Sequence, residues 1–298
     1  TKTDCVMDPL RPANVEELKH LIGIYKQFLP QSIQFVSLLQ NILRTNLTLH
    51  DTDEEQVSHR LQKTVYIPNN EKGNRLATFV AISREEDQYI FINTLEVPPT
   101  ELTHALENTT YIKWGIKPMF VIGDNSEIRA KLSQLIVEPK VQFKSSSDCV
   151  NYWMPQTEAA KLSYIVPADV DLKPLQVQHA KQLNEWWPYR YRTSQQYFES
   201  AIKYFGAFGL FDKTSGELVA CVFQNDHDAV GHLYTVPERC NRGYGCTLAK
   251  AITKHIAVQY KQDVHTFIDG NNERSIRLFN KIGYKAVSRT EWLVASKY

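Results

Sequence analysis

The sequence lacks the features that mark several common classes of protein. No run of about 18 apolar residues occurs in it, so we predict no membrane-spanning helix and expect no membrane partner. Cysteine is scarce: the five residues are an odd number, with no Cys-x-x-Cys pair and no histidine at metal spacing. We therefore expect reduced thiols, no metal site and an intracellular location, either cytoplasmic or mitochondrial.

Net charge is also nearly absent, at +1 over the whole sequence. Residues 1–165 carry 17 Lys and Arg against 20 Asp and Glu, whereas residues 166–298 carry 17 against 13. The resulting excess of four positive charges in the second region is too small to neutralise a polynucleotide, so we expect no nucleic-acid partner. It suits one compact anionic ligand instead. The oligomeric state is not predicted by any of these features.

The pattern of apolar residues divides the sequence into two α/β regions. A hydrophobic content of 43% is enough for two cores, and the polar segment after Ser145 shows little periodicity. We therefore predict an amino-terminal domain over residues 1–165 and a carboxy-terminal domain over residues 166–298. In the first domain we predict helices at Val15–Phe28, Ile33–Leu43, Pro98–Leu106 and Ile128–Ile136, and strands at Val65–Ile67, Ala77–Ile82, Tyr89–Asn93 and Pro118–Ile122.

In the second domain the order of helices and strands is easier to predict. Helices are predicted at Val177–Trp187, Ser194–Tyr204 and Asn272–Ile282, and strands at Ala207–Phe211, Glu217–Gln224, Ala229–Val236 and Val264–Asp269. A terminal pair of strands is predicted around Tyr284–Ser288 and Glu291–Ala295. No internal repeat is evident from the sequence.

The stretch from Val236 to Ile256 is the most informative part of the sequence. It reads VPERCNRGYGCTLAKAITKHI and runs from a predicted strand through Gly243 and Gly245 into a predicted helix. Glycines there let successive backbone N–H groups converge on a ligand, and the amino terminus of a helix favours an anion. Arg239 and Arg242 add positive charge nearby. The stretch therefore predicts a loop that binds a pyrophosphate.

Two other interpretations compete with this one. The glycines could serve only to let the helix pack closely on the sheet. They also begin the Gly-x-Gly-x-x-Gly pattern of dinucleotide-binding folds, with Asp263 lying 20 residues after Gly243. Leu248 replaces the third glycine of that pattern, however, and Asp263 precedes its strand instead of ending it. The dinucleotide interpretation is therefore disfavoured.

A second motif decides between these interpretations. Residues 272–284 read NERSIRLFNKIGY, which resembles the N-x-x-A/S…K-x-G-F/Y ending of the GNAT superfamily of acyl-coenzyme A N-acyltransferases. Residues 240–245, CNRGYG, then match the Q/R-x-x-G-x-G/A loop of that superfamily, with Cys240 in place of the leading Gln or Arg. The two motifs occur in the family's order, so the pair is far more specific than either motif alone.

The resemblance covers residues from about 170 to 298. The phrases Tyr234–Glu238 and Asn184–Trp187 are similar to the glycine N-acyltransferase branch in particular. The resemblance implies an α/β (α+β) protein: a carboxy-terminal GNAT fold with a mixed, mostly antiparallel sheet flanked by helices, and an amino-terminal α/β domain of related fold. It also implies acyl-CoA as co-substrate, no metal, and a small-molecule amine or amino acid such as glycine as the acyl acceptor.

The same resemblance implies which residues bind coenzyme A. The loop backbone would hold the pyrophosphate, and the strand before the loop would supply an N–H for the thioester oxygen. The residues concerned are Leu233, Thr235, Val236, Arg239, Cys240, Asn241, Arg242, Gly243, Tyr244, Gly245, Cys246, Asn272, Ser275, Phe279 and Lys281.

The sequence departs from the family at the residues that would accept a proton. Ala229 stands where glycine N-acyltransferases carry a Glu that acts as base. His232 stands where many other GNAT enzymes place a Glu, and a neutral imidazole with a pKa near 6.5 can accept a proton. We expect His232 to be the base and Asp228 to be the alternative. A histidine that only bonds into the sheet is the structural interpretation of the same position.

A second departure concerns the group that would donate a proton. Phe279 replaces the Tyr with which the superfamily commonly protonates the leaving thiolate. Ser275, Tyr234 or Tyr284 could substitute for it, and the sequence does not choose among them; Tyr234 is the one that we name as a catalytic candidate.

The segment between the first two helices of the carboxy-terminal domain is rich in aromatic and basic residues. It reads WWPYRYR over residues 186–192, and in GNAT folds this region overhangs the acceptor. Trp187, Arg190 and Arg192 are therefore expected to bind the substrate, since an arginine can pair with the carboxylate of an amino acid through two hydrogen bonds. Packed aromatic residues with solvated arginines are the structural alternative.

Two other functions remain open. The chain could bind acyl-CoA without catalysis, which Phe279 and Ala229 favour. It could also be a protein N-acetyltransferase, which would require an open groove on the acceptor side.

Overall fold

The structure is a computed structural model that describes residues 7–49, 56–70, 76–116, 118–135 and 141–297. Cys5 and Ile136, which entered the sequence predictions, lie outside the described residues.

The first part of the chain folds as a run of alternating strands and helices. The amphipathic helix α1 begins with a capping box, in which Asn14 accepts the N–H of Glu17 and the Glu17 side chain accepts the N–H of Asn14. The elements in order are β1 (Leu10–Pro12), α1 (Val15–Lys26), α2 (Ile33–Leu49), β2 (Lys63–Pro68), β3 (Phe79–Ser83), β4 (Tyr89–Asn93), α3 (Thr100–Asn108), β5 (Met119–Gly123), α4 (Ser126–Leu135) and β6 (Val141–Met154).

After a short helix, α5 (Gln156–Ala159), the same order of elements occurs again. The elements are β7 (Val170–Pro174), α6 (Ala180–Trp186), α7 (Ser194–Tyr204), β8 (Ala207–Asp212), β9 (Leu218–Gln224), β10 (Ala229–Thr235), α8 (Tyr244–Tyr260), β11 (Val264–Asp269), α9 (Glu273–Ile282) and β12 (Lys285–Lys297). We call β1 to β6 the amino-terminal repeat and β7 to β12 the carboxy-terminal repeat.

Both repeats belong to one 12-stranded sheet with the order β1-β2-β3-β4-β5-β12-β6-β11-β10-β9-β8-β7. From either edge, five strands of one repeat are followed by the last strand of the other, so the repeats exchange their final strands. Among the described strands, only the pairs β4–β5 and β10–β11 are parallel. The predicted fold class, a mixed and mostly antiparallel sheet flanked by helices, is confirmed.

Helices cover both faces of the sheet in each repeat. In the amino-terminal repeat, α1 and α2 pack on one face, and α3 and α4 pack on the other. In the carboxy-terminal repeat, α8 and α9 pack on one face, and α6 and α7 pack on the opposite face. The core under α6 and α7 also contains Leu49, Val57 and Leu61 of the amino-terminal repeat. The repeats therefore share buried apolar surface as well as strands.

One sequence prediction about the strands is wrong, and one strand was not predicted. No strand was predicted in the polar segment after Ser145, which belongs to β6 and pairs with both β11 and β12 at the centre of the sheet. The predicted terminal pair of strands is the single strand β12, which pairs with β5 on one side and β6 on the other. The division into domains near residue 165 stays a prediction. No helix of the described residues is both long enough and apolar enough to cross a membrane.

Candidate functional site

Strands β10 and β11 lie side by side only where they begin. Ala229 pairs with His265 and Val230 pairs with Thr266, and the rest of β10 has no partner on β11. On its other side β10 remains paired with β9 as far as Thr235. The two parallel strands therefore part towards their carboxyl ends, and the backbone of β10 after Val230 is free on the side that faces the gap.

A bulge in β10 lies at the point where the strands part. The register between β10 and β9 shifts between Gly231 and Tyr234, and His232 within the bulge has a left-handed backbone with φ of 45°. A bulge inserts an extra residue and turns the side chains and the strand locally. This one presents His232 and Tyr234 to the face of the sheet that α6 and α7 cover.

The connection from β10 to α8 is a loop with unsatisfied donors. Asn241 and Gly243 are left-handed, with φ of 62° and 84°, and Gly243 is the residue at which α8 begins. No side chain caps the helix, and none of the described residues accepts a hydrogen bond from the backbone N–H groups of residues 241–246. Donors at the start of a long helix attract anions. The loop therefore has the properties predicted for a pyrophosphate site.

The structure gives different reasons for glycine at positions 243 and 245. A Cβ atom at Gly243 would meet nothing within 4 Å, so the positive φ explains that glycine. A Cβ atom at Gly245 would lie 3.8 Å from the side chains of Leu233 and Leu278, an ordinary contact distance. A side chain at position 245 would therefore not prevent α8 from packing on the sheet. The glycine is consistent with the close approach of a ligand at this position. Leu278 also shows that α9, which carries the second motif, packs beside the loop.

The arginines near the loop already have carboxylate partners. Arg239 forms an ion pair with Asp212 and lies 3.8 Å from Asp169. Arg242 Nη1 lies 3.5 Å from the same Asp169, whose carboxylate also accepts the Tyr244 hydroxyl at 2.5 Å. That hydroxyl is the main reason why the pKa of Asp169 is lowered. A phosphate at the loop would compete with these carboxylates for the arginines. We therefore expect the backbone N–H groups to contribute more than the arginines to binding of a phosphate.

The other residues predicted for coenzyme A line the loop, the adjoining strand and α9. Leu233, Val236 and Cys246 are half-buried against the core beneath α8, and Thr235 pairs with Ala220 on β9. The Cys240 thiol lies 3.6 Å from the carbonyl oxygen of Val236.

In the second motif, Asn272 is exposed and caps α9 by accepting the N–H of Ser275. Ser275 itself is half-buried, and Lys281 is exposed in the last turn of α9.

His232, the predicted base, is largely enclosed by aromatic rings. The ring centroids of Phe198 and Trp187 lie 5.5 and 6.4 Å from its imidazole. Burial lowers its pKa to about 4, against a hydrogen bond with the backbone of Leu183 that acts in the opposite direction. Because Nε2 has no partner among the described residues, Nδ1 makes that bond. His232 is therefore neutral at pH 7, with a free lone pair on Nε2.

Asp228, the alternative base, is fully enclosed and saturated with donors. Its carboxylate accepts Asn41 Nδ2 at 2.7 Å, Gln224 Nε2 at 2.7 Å, Gln262 Nε2 at 3.0 Å and the guanidinium of Arg44. All four of these donors come from the protein itself, and the carboxylate is fully buried. We propose a structural role for it instead, since two of the donors come from α2 of the amino-terminal repeat.

The candidates for a proton donor differ in availability. Tyr234 is half-buried and stacks on Trp186 at 4.8 Å between centroids. Tyr284 is buried, and its hydroxyl lies 2.7 Å from the Thr253 hydroxyl within the core. Phe279 is buried against Tyr284. Tyr234 therefore stays the catalytic candidate, whereas Tyr284 is committed to packing.

The residues predicted to bind the acceptor divide into two groups. Trp187 lies in the aromatic cluster beside His232 and packs on Tyr197 and Phe198. Arg190 is exposed and donates to the backbone carbonyl of Glu185 at 3.1 Å. Arg192 is exposed and pairs with Glu86 of the amino-terminal repeat at 3.2 Å. Both arginines are exposed, and the contacts that they make are with Glu185 and Glu86.

Sequence reasoning missed a buried charged cluster next to this site. The Asp226 carboxylate, in the turn before β10, accepts Lys63 Nζ at 2.7 Å and the Tyr197 hydroxyl at 2.8 Å. Arg60 lies beside this carboxylate. Arg60 and Lys63 are more than 160 positions away in the sequence, so no local pattern links them to Asp226. Among the described residues, no group of three or more His, Cys, Asp or Glu side chains could hold a metal ion.

Two family models match parts of the chain. The one described as "FR47-like protein", a GNAT-like family, matches residues 207–293, which run from β8 into β12. The one described as "Domain of unknown function (DUF5645)" matches residues 9–135, from β1 to α4. No curated protein matches the sequence.

Solved structures resemble the whole chain. A Drosophila protein is 23% identical, with a TM-score of 0.86 over 97% of this chain and 99% of that one. A GCN5-related N-acetyltransferase from Sphaerobacter thermophilus is 9% identical, with a TM-score of 0.55 over 97% and 95%. A tandem GNAT protein from the clavulanic acid biosynthesis pathway is 11% identical, with a TM-score of 0.54 over 97% and 98%. With the geometry above, these matches show that the chain has the fold of the GNAT superfamily, whose order of elements it contains twice.

Proposed function

We propose that the carboxy-terminal repeat transfers an acyl group from acyl-CoA to the amine of a small molecule, with glycine or another amino acid as acceptor. One observation carries this proposal: β10 and β11 part directly before a helix start whose backbone donors are unsatisfied. The free backbone of β10 suits the thioester oxygen, and the start of α8 suits the pyrophosphate of coenzyme A.

The proposed reaction has three steps. The neutral amine nitrogen attacks the thioester carbon, the carbon–sulfur bond breaks, and the amine proton ends on the departing thiolate. An amine with a pKa near 10 is only about 0.1% neutral at pH 7, so a dry pocket that selects the neutral form helps. His232 Nε2 can then accept the proton from the adduct, and the hydroxyl of Tyr234 can donate one to sulfur.

The acceptor side of the gap favours a small acceptor over a protein. In the carboxy-terminal repeat this side is covered by α6, α7 and the segment between them. That segment is fastened to the amino-terminal repeat, because Arg192 pairs with Glu86 and the Thr193 hydroxyl donates to Glu85 at 3.2 Å. A peptide substrate would need an open groove here.

A specific observation favours non-catalytic binding of acyl-CoA as the second candidate. Asp228 already accepts four hydrogen bonds and Ala229 has no ionisable group, so His232 is the one base left among the predicted residues. Phe279 has no hydroxyl that could donate a proton. If His232 only packs among its aromatic neighbours, the gap would still bind acyl-CoA.

Thermal unfolding with acyl-CoA of increasing chain length tests binding. A ligand at 100 times its dissociation constant adds about 2.7 kcal/mol to the free energy of unfolding, which raises the melting temperature clearly. Absence of a shift with every acyl-CoA would contradict both candidates.

Thiol release with glycine, other amino acids and an amino-terminal peptide then tests transfer. Replacing His232 by Ala should lower kcat by roughly 10²- to 10⁴-fold while the acyl-CoA shift is kept. His104→Ala, at an exposed position on α3, is the matched control. A shift without thiol release from the unaltered protein would favour the non-catalytic candidate.

A further inference from the structure

A segment of the amino-terminal repeat penetrates the acceptor side of the carboxy-terminal repeat. Val57 and Leu61 are buried in the core beneath α6 and α7, and the backbone N–H of Ser58 donates to the Ser200 hydroxyl of α7 at 2.9 Å. The segment from Val57 to Leu61 is therefore fixed against α7 on both its apolar and its polar side. Arg60 belongs to this segment.

Aromatic rings from both repeats surround the Arg60 guanidinium. Its central carbon lies 3.9 Å from the ring centroid of Tyr89, 5.0 Å from that of Tyr197 and 5.5 Å from that of Tyr191. Rings stacked on a guanidinium stabilise its charge through its faces and leave its edge for hydrogen bonds. The side chain is only 11% exposed. The guanidinium is therefore held in one orientation.

Within the part of the chain that the structure describes, one donor on the edge of this guanidinium is unpaired. Its Nε is buried and has no hydrogen-bond partner among the described residues, and the buried hydroxyl of Tyr191 lies beside the guanidinium. Asp226 is the carboxylate with which Arg60 forms an ion pair, at 3.6 Å from Nε, and its two oxygens already accept Lys63 and Tyr197. Lys63 is the direct partner of that carboxylate.

Among the described residues, the charged groups of this cluster are the two cations Arg60 and Lys63 and the two carboxylates Asp226 and Glu85. Arg60 and Lys63 both face the fully buried carboxylate of Asp226, and His227 beside it is neutral because burial lowers its pKa to about 3. Glu85 lies half-buried at the rim, where it accepts the Thr193 hydroxyl. The ion pair with Asp226 spans 3.6 Å and leaves the buried Nε of Arg60 without a hydrogen bond among the described residues, and such a donor is costly unless a ligand accepts from it.

The cluster and the predicted base share one aromatic wall. Tyr197, which touches Arg60, stacks on Trp187 at 6.2 Å between centroids, and Trp187 and Phe198 both contact His232. Arg60 therefore lies on the side of β10 from which an acceptor would approach the gap.

We propose that Arg60 binds a substrate carboxylate at the acceptor side of the site, together with the hydroxyl of Tyr191. This inference rests on the proposed function and adds to it a residue supplied by the other repeat. A flat carboxylate fits because it can lie in the plane of the guanidinium and accept two hydrogen bonds. In this proposal Arg60 takes the role that the sequence suggested for Arg190 and Arg192, both of which are exposed.

The carboxylate has two possible sources, the amino acid that accepts the acyl group or the far end of a dicarboxylic acyl group. Thiol release can distinguish them when glycine is compared with glycinamide, and succinyl-CoA with butyryl-CoA. If the acceptor carries the carboxylate, glycine should exceed glycinamide in kcat/KM by roughly 10- to 100-fold, the range of a charge-assisted hydrogen-bonded pair. If the acyl group carries it, succinyl-CoA should exceed butyryl-CoA by a similar factor.

Replacing Arg60 by Met should remove whichever preference exists through a higher KM, while Arg60→Lys keeps the buried charge and part of the preference. Arg129→Met, at a partly exposed arginine on α4, is the matched control and should keep the preference fully. The acyl-CoA melting shift of each variant shows whether it is folded and still binds acyl-CoA, so a failure of the proposed function is recognised separately.

Calorimetric titration of the unaltered protein and Arg60→Met with glycine, glycinamide and sodium succinate requires no turnover. Carboxylate binding that Arg60→Met loses supports the proposal even without thiol release. Two results would overturn it: no preference for a carboxylate in any assay, or a preference that Arg60→Met and Arg60→Lys both retain in full.

Discussion

The two repeats have the same order of elements but differ at the pair of parallel strands in each. In the amino-terminal repeat, β4 and β5 pair over four positions, from Tyr89 with Met119 to Ile92 with Ile122. In the carboxy-terminal repeat, β10 and β11 pair over two positions and then part at a bulge. Strands β4 and β5 stay paired and form the closed pair, whereas β10 and β11 part and form the open pair, with a gap between them that a ligand can enter.

The helices that follow these strands differ in the same sense. Helix α3 follows Pro98 and Pro99, and the Glu96 carboxylate accepts the backbone N–H of Glu101 at 2.7 Å. Helix α8 follows the left-handed Gly243, and no side chain caps it. The amino-terminal repeat therefore supplies its own anion at the position where the carboxy-terminal repeat leaves donors free. The comparison shows that a repeat can keep the fold while its site is filled by its own side chains.

The largest expected effect comes from separating the two repeats. If the chain is cut after Met154, the second piece loses β6, which lies between β11 and β12 and pairs with β11 from Val264 to Asp269. Neither piece should then unfold cooperatively on its own, as followed by circular dichroism during heating. Coexpression of the two pieces should restore a complex that melts as one unit. A carboxy-terminal piece that folds alone and is stabilised by acyl-CoA would show that the repeats are independent.

The next effect is a loss of stability in mild acid that originates in the carboxy-terminal repeat. Burial lowers the pKa of His227 to about 3 and those of His232 and His265 to about 4. The unfolded chain binds protons at these positions below pH 6.5 while the folded chain does not, so the free energy of unfolding falls as pH falls towards 4. The loss should be about 1 kcal/mol per histidine between pH 7 and 5.5, measured by urea denaturation.

Replacing one of these histidines tests the assignment. His265→Gln should make the pH dependence shallower by one histidine's share, whereas His20→Gln, at an exposed position on α1, should leave it unchanged. Equal slopes in both variants would contradict the assignment.

A smaller change in stability, but a decisive change in binding, is expected at the loop. Gly243→Val forces a branched side chain into a left-handed backbone, which should cost about 1–2 kcal/mol and remove the acyl-CoA melting shift. Gly245→Ala should leave the free energy of unfolding nearly unchanged, because its Cβ makes ordinary contacts, yet weaken acyl-CoA binding. Binding retained in both variants would mean that the ligand does not approach this loop.

The smallest effect is expected at the corresponding helix of the amino-terminal repeat. Glu96→Gln removes a negative charge from the start of α3 and should destabilise the protein by about 0.3–1 kcal/mol in urea denaturation. The acyl-CoA melting shift should stay as it is in the unaltered protein. A weaker shift would show that the closed repeat contributes to acyl-CoA binding.

Much of the fold and the loop could be predicted from short-range patterns. Alternating apolar residues predicted β4, β9, β10 and β11 near their observed bounds, and the order of the two motifs predicted the GNAT fold. These features are local, because backbone conformation and helix starts depend on neighbouring residues. Strand β6 escaped prediction since its sequence, VQFKSSSDCVNYWM, is polar over much of its length. Its partners, β11 and β12, come more than 100 residues later.

The roles of individual charged residues were harder to predict. Asp228 looked available in the sequence, yet α2 supplies two of the donors that saturate it. Arg190 and Arg192 had suitable neighbours in the sequence, and in the structure both are exposed and contact Glu185 and Glu86. Burial and pairing depend on which distant residues meet, and a single sequence does not record that.

The sequence by itself determined the character of the stretch from Val236 to Ile256: a strand, a left-handed glycine and a helix start suited to an anion, all set by local backbone preferences. Only the tertiary structure decided that β10 and β11 part beside it, that the repeats exchange their last strands, and that Arg60 lies beside the acceptor side. These depend on contacts between residues far apart in the chain, whose energies arise when the repeats pack together.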